Sequence, residues 1–335
     1  MSLPGSGAGS WLSVSTTKTG QAAWATASPG SYSSFPMHPG GLEFKSDVAF
    51  SGQARGGDLV HGRGTQVIAD GSEIFDVYPH NLDYFLQNRF NVAQTNPAGS
   101  IYEHTYTVPQ RLELPQPYGM TVREGLGTAA TLDTTKEFVS AFCTSYQFAI
   151  QNNFLVATIA MMAANRTFTT KTPSFGTQTP FTIFGKMTVD LVLADASTYD
   201  DVPVRNLSIN IPCPGRMDYS DTAAVAKKFS ATDRFAPEIS WNWDFATGEP
   251  EPKLRTAWED KEQIQCTITL EGAELGTSQP ETVIFYFPYL IRGGADPKVS
   301  GPGAIQSPWN FKAQRDIANG IGAVRLFTRN GNNLT

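Results

Sequence analysis

The stretch PEISWNWDF, residues 237–245, alternates residue by residue between polar and apolar side chains. Ile239, Trp241, Trp243 and Phe245 share one face, and Glu238, Ser240, Asn242 and Asp244 share the other. Successive side chains of an extended chain point to opposite sides, so a period of two marks a strand with one buried face. A short helix-like segment carrying Leu254 and Trp258 follows, and alternation returns at Ile264, Cys266, Ile268 and Leu270. The first half has the same order. A strand is expected around residues 73–78, a helix over 81–90, and strands from Ile101 onward. This repetition predicts an all-β fold with short helices, made of two β modules at residues 41–175 and 176–335. A Gly/Ser-rich N-terminal arm, residues 1–40, precedes them.

Composition agrees with a β-rich chain. The 335 residues include 30 Gly and 22 Pro, which favour turns, and only 17% are charged against a usual share of about 25%. No apolar run approaches the roughly 20 residues of a membrane-spanning helix. The first residues, MSLPGSG, lack the basic and apolar regions of a signal peptide, so a cytoplasmic setting is expected. Cys143, Cys213 and Cys266 are widely spaced, which suits buried thiols rather than zinc or redox pairs. The net charge of −6 argues against a general nucleic-acid-binding surface.

Along the chain, the arm has no sustained apolar period and would be mobile on its own. It nevertheless contains Trp11, Trp24, Tyr32 and Phe35, which suggests that it orders against a neighbouring subunit. Asn81 is the expected N-cap of the first helix. Strands are expected over 101–108, 120–123, 138–150 and 154–163, the last two joined by a tight hairpin at 151–153. Residues 170–179 read as a linker. Further strands are expected over 182–193, 204–211, 238–245, 263–271 and 281–291. Residues 218–235 read as a long polar loop, 309–319 as a short helix and 322–329 as a final strand.

Residues that could carry chemistry do not combine into a site. Gly125-Leu-Gly-Thr-Ala-Ala130 matches a dinucleotide fingerprint in letters, but no helical apolar period follows it. His38, His61, His80 and His104 have no metal-ligand spacing, and no G-x-S-x-G elbow is present. The acidic pairs Asp200-Asp201 and Glu259-Asp260 read as a turn and a solvated helix end. The sequence therefore predicts no catalytic, cofactor-binding or metal-binding residues, and no enzyme.

Residues 101–108, IYEHTYTV, followed by Leu114-Pro115 and Met120-Thr121-Val122, carry a resemblance. The chain resembles the tail tube proteins of bacteriophages with long, non-contractile (siphovirus-type) tails. In those proteins a short helix precedes a strand with a His-Thr pair, and a Leu-Pro leads into a Thr-Val strand. A hydrophobic hairpin follows, here residues 138–163, and the second module ends with Phe287-Pro288-Tyr289-Leu290 and a Gly-rich turn at 299–305. The resemblance runs from about residue 60 to the C-terminus, while the arm and the Trp241/Trp243 pair depart from it. It implies β-sandwich or barrel modules that give strands to a ring-shaped inner β-barrel. A duplicated module implies a trimeric ring of pseudo-sixfold symmetry, the alternative being a hexamer.

Rings would stack head to tail into a hollow tube in the virion, assembled in the host cytoplasm. Implied partners are other copies of the chain, a tape-measure protein, and the tail terminator and baseplate or tip proteins. DNA would pass through the lumen without specific binding, and no membrane is involved. The net negative charge suits a lumen that does not grip DNA. The arm and the 218–235 loop are expected to make inter-ring contacts. Two alternatives are another virion ring protein (tail terminator or baseplate) and a carbohydrate-binding β-sandwich protein in which Trp241 and Trp243 stack on sugars.

Overall fold

A computed structural model describes the chain except for residues 1–9, 20–23, 28–29, 39–40, 51–53, 56–57, 60–61, 110–113, 115–118, 127–134, 176–186, 220–224, 245–252, 254–255, 258, 261, 276–278, 294–305 and 335. The first half contains β1 (Ser10–Ser15), β2 (Tyr32–Pro36), β3 (Gly41–Phe50), β4 (Ala54–Arg55), β5 (Asp58–Leu59), β6 (Gly62–Asp76) and α1 (Pro79–Leu86). These are followed by β7 (Asn91–Ala98), β8 (Ile101–Thr107), β9 (Met120–Leu126), β10 (Thr135–Gln151), β11 (Phe154–Ala163) and β12 (Asn165–Thr169). The second half contains β13 (Met187–Val192), β14 (Thr198–Tyr199), β15 (Arg205–Pro212), β16 (Gly215–Asp218), β17 (Lys228–Ala231), β18 (Glu238–Asp244), β19 (Ile264–Glu274), β20 (Pro280–Gly293), β21 (Gln306–Gln314) and β22 (Arg325–Asn330). The fold is all-β with the short helix α1 and further helical residues at 253, 256–257 and 259, and every ladder between these strands is antiparallel.

The central ladder runs β3-β6-β11-β10-β15-β18-β21-β20-β19-β13-β14. Two strands change partners partway along, and the sequence marks both places. The first part of β10 lies between β9 and β12 and the second between β11 and β15; at the changeover Ser140 adopts φ 50°. β20 pairs with β22 over Thr282–Tyr286 and with β21 over Tyr289–Gly293. Pro288, which has no N–H to donate, sits between the two. From β22 the ladder continues to β8 and β7, and from β9 to β1 and β2. Among the described residues these pairings branch but never return on themselves, so the strands of one chain do not form a closed barrel.

Ladders β10–β15 and β8–β22 join the two halves of the chain, and one buried apolar cluster extends from Leu12 to Leu326. The alternation that opened the reading holds for the described side chains: Ile239 and Trp241 are buried, and Glu238 is exposed. Opposite them Trp309 and Phe311 of β21 are buried while Asn310 and Lys312 are exposed. The 10–11 hairpin turns on Asn152 and Asn153, both at positive φ, as a two-residue turn requires.

Four expectations are corrected. First, the arm is not a free tail: β1 lies between β2 and β9, and Trp11, Leu12, Val14 and Phe35 are buried within the subunit. Removing residues 1–35 would therefore strip strands from the core rather than trim a tether. Second, Asn81 does not cap α1; the helix starts one turn earlier behind Tyr78, with Pro79 in its first turn, and Asn81 itself is fully buried. Third, the helix expected over 309–319 is strand β21 as far as Gln314 and a turn beyond it, because Trp309 and Phe311 alternate with polar residues and burial follows the period of two. Fourth, the 218–235 stretch is not all loop: its start and middle form the β16–β17 hairpin. Leu254 and Trp258 lie outside the described residues.

Candidate functional site

Among the described residues, the outer part of the β3–β6 hairpin is a long segment of strand with no second ladder partner. The ladder between these strands continues as far as Phe50↔Gly62, whereas β11 pairs with β6 only from Ala69 to Asp76. Among the described residues, 45–50 and 62–68 consequently have ladder partners only in each other, as a two-stranded ribbon with the small β4–β5 pairing near its end. At about 3.4 Å per residue, six residues of strand extend roughly 20 Å beyond the sheet. A lone two-stranded ribbon is marginal in water, since each strand has one row of N–H and C=O groups without a ladder partner.

Other edges have similar chemistry. Among the described residues, β7 pairs only with β8 and β12 only with β10, each leaving its far edge outside any described ladder. Both present apolar side chains to solvent: Val92 on β7 is 40% exposed and Phe168 on β12 is 57% exposed. A third, Ile317, lies 84% exposed just beyond β21.

The opposite situation holds where α1 meets β8 and β22. Asp83, fully buried, accepts hydrogen bonds from the Tyr106 hydroxyl (2.9 Å), Thr328 Oγ1 (2.6 Å), Asn330 Nδ2 (2.6 Å) and Asn332 Nδ2 (3.1 Å). His104 Nδ1 lies 3.4 Å from Asp83, and its Nε2 bonds Gln94 Oε1 at 3.0 Å. Burial holds the His104 imidazole below its ordinary value, against the pull of the Asp83 charge. Burial first, and then Asp83, push the Tyr106 phenol well up. At the edge of this network His80 contacts Glu281 (3.2 Å) and Asn332 (3.0 Å), which raises its affinity for a proton. The cluster has the residue types of a catalytic site, but His104, Asp83 and Thr328 are all sealed from solvent. It joins the C-terminal strand to the helix.

A second buried polar tie is Arg89, just after α1. Its Nη1 donates to the Cys143 carbonyl (2.6 Å) and the Cys213 carbonyl, and its guanidinium lies over the rings of Phe229 and Phe235. Nearby, Lys18 donates to the Gln87 carbonyl, and burial lowers its amine to about 7. Trp24 donates to the Ala226 carbonyl, so both parts of the N-terminal segment dock on their own subunit.

The remaining residues singled out in the sequence are dispersed. His38 pairs with Asp76 at 2.9 Å, and His61 lies outside the described residues. The three cysteines are buried free thiols, and burial pushes Cys143 up to about 12. Gly125 belongs to strand β9, where Trp11 packs so closely that any Cβ would overlap its indole. The glycine thus serves packing, and residues 127–130 lie outside the described residues. Asp201 N–H bonds Asp190 in a turn. Trp241 is 1% exposed and cannot stack on a sugar; the Trp243 side chain lies outside the described ones. Among the described residues no three His, Cys, Asp or Glu side chains gather as metal ligands, and no helix is long and apolar enough to cross a membrane.

The ribbon was missed because residues 45–68 mix Gly, charged and apolar residues with no clean period, and its pairing is long-range in sequence. No protein-family model matches the chain, and no curated protein matches it in sequence.

Proposed function

We propose that this chain is a structural subunit that polymerises with its own copies, as the tail tube protein of a long-tailed phage does. The observation that carries the reading is the β3–β6 ribbon, whose outer strands pair only with each other. Strand edges of this kind recruit further strands through main-chain hydrogen bonds, which makes them joints between subunits. The apolar Val92 and Phe168 on two other edge strands, and the open course of the ladders, support the same reading. In this proposal neighbouring subunits complete an inner barrel that one chain leaves open. The ring is a trimer of pseudo-sixfold symmetry, or else a hexamer, and head-to-tail stacking extends it without closure. Its partners are then a tape-measure protein, the terminator and tip proteins of the tail, and DNA in transit. Its location is the virion.

Negative-stain electron microscopy of the purified protein at rising concentration tests this. Stacked rings with a central channel are expected, and their rotational symmetry separates three subunits from six. Closed rings that never stack would move the assignment to a terminator or baseplate ring. A monodisperse monomer at every concentration would refute self-assembly.

A further inference from the structure

Glu73, on β6 at the root of the ribbon, is fully buried, and neither of its carboxyl oxygens has a hydrogen-bond partner. Leaving such a group unpaired is costly, and leaving it charged far more so. Beside it stands a second carboxyl group, Glu124 of β9, itself 7% exposed. Glu124 Oε1 accepts the Leu42 backbone N–H of β3 at 2.7 Å. One glutamate therefore lies on one strand of the ribbon's root, while its neighbour reaches across from another sheet to hold the companion strand. Backbones are tightly packed here: a Cβ on Gly71 would overlap the Gly41 carbonyl, and one on Gly41 would lie 2.9 Å from Glu124 Oε2.

We propose that Glu73 carries a proton in the folded subunit and that the Glu73–Glu124 pair is a proton-operated latch joining the ribbon's root to β9. With the proton in place, Glu73 is neutral and gains an O–H donor, whose acceptor is the Glu124 carboxylate. When the proton leaves to solvent base, two like charges share a buried site, and the Glu124–Leu42 bond is the contact that yields.

The surroundings leave little else to compensate. The cation acting on the pair is Lys136 of β10, with Nζ 3.4 Å from Glu124 Oε2 and its side chain 42% exposed. β11 sets Ile159 opposite Glu73, and β1 sets Leu12 opposite Glu124. Arg123 and Glu137 pair with each other at 2.6 Å at the adjacent register positions of β9 and β10, which point to the opposite face. On β6 itself Asp76 is occupied by His38, and Glu43, next to Leu42, is exposed. Burial, then Glu124, push the Glu73 carboxyl well up, the direction the latch needs.

The latch concerns the isolated subunit, so its test is independent of whether subunits assemble. Amide hydrogen exchange at Leu42 is compared between the wild type and Glu73→Gln across pH, after correction for intrinsic exchange. The wild type is expected to lose about tenfold protection or more as pH rises through the Glu73 titration, while Glu73→Gln keeps constant protection. Identical pH profiles in the two proteins would overturn the proposal. Should the variant fail to fold, carboxyl-carbon NMR of the wild type decides. A Glu73 signal at the protonated position at pH 7 supports the latch, and an ionised signal refutes it.

Discussion

The Asp83 cluster and the β3–β6 ribbon stand at opposite ends of one scale. Around Asp83, four donors from β8, β22 and the C-terminal residues converge on one buried carboxylate, and chain segments about 250 residues apart are held together. On the ribbon, the two strands have no other ladder partner among the described residues. The first region satisfies its polar groups internally, which fixes a shape. The second leaves a row of main-chain donors and acceptors to be satisfied from outside. A subunit designed to polymerise needs both: a rigid body to carry its joints, and joints that are incomplete alone.

The sharpest way to break this contrast is Asp83→Ala. It would leave Tyr106, Thr328, Asn330 and Asn332 without their common acceptor in a dry site, and removing one member of a buried charged network costs about 3–5 kcal/mol. Urea denaturation should show a large fall in midpoint. A loss under about 1 kcal/mol would mean that the cluster is not what binds the C-terminal strand.

A smaller effect is expected at the cluster's rim. His80 bonds Glu281 and Asn332, and these contacts raise its affinity for a proton above the ordinary value of 6.5. Because the folded state holds the proton more tightly, the stabilisation is complete below about pH 6.5 and fades as pH rises through the raised folded value. His80→Gln should therefore destabilise at pH 5.5 by under about 1 kcal/mol, since the ring is partly solvated, and by progressively less toward pH 8. Melting temperatures of the two proteins across that range would show it; a gap that widens with pH would contradict the assignment.

The β architecture was legible because burial writes its period into the side chains. Residues 237–245 gave β18, and the Gln-Asn-Asn sequence at 151–153 gave its hairpin, since each signal is local. Residues 309–314 misled because Trp309 and Phe311 are two apart, and a stretch with so few apolar residues fits either period until the partner strand β18 is known. The N-terminal strands were hidden for a related reason. Ser10–Ser15 holds only three large apolar residues, and what orders it is β9, over a hundred residues away. The Asp83 and Glu73–Glu124 clusters had no sequence signal at all, because their members meet only through long-range pairing. His104, in the His-Thr pair at 104–105, belongs to the buried Asp83 cluster, but nothing in its local sequence names its partners.

The ribbon offers the test with the smallest expected effect on the subunit and the largest on its association. Phe44 and Ala69 face each other in the β3–β6 register, so residues 45–68 can be replaced by Asn-Gly, closing the hairpin with a two-residue turn at its root. The β11 ladder stops at Ala69, and beyond it the described ribbon residues pair only with one another. Stability should therefore shift by no more than about 0.5 kcal/mol, as for changes remote from the core. If the full chain forms rings as proposed, sedimentation velocity should then show the shortened chain as a folded monomer under the same conditions. Rings of unchanged size would remove the ribbon from the joint and leave β7 and β12, with Val92 and Phe168, as the remaining edges. A loss of several kcal/mol would show instead that the ribbon belongs to the subunit's own core, and the contrast with the Asp83 cluster would fail.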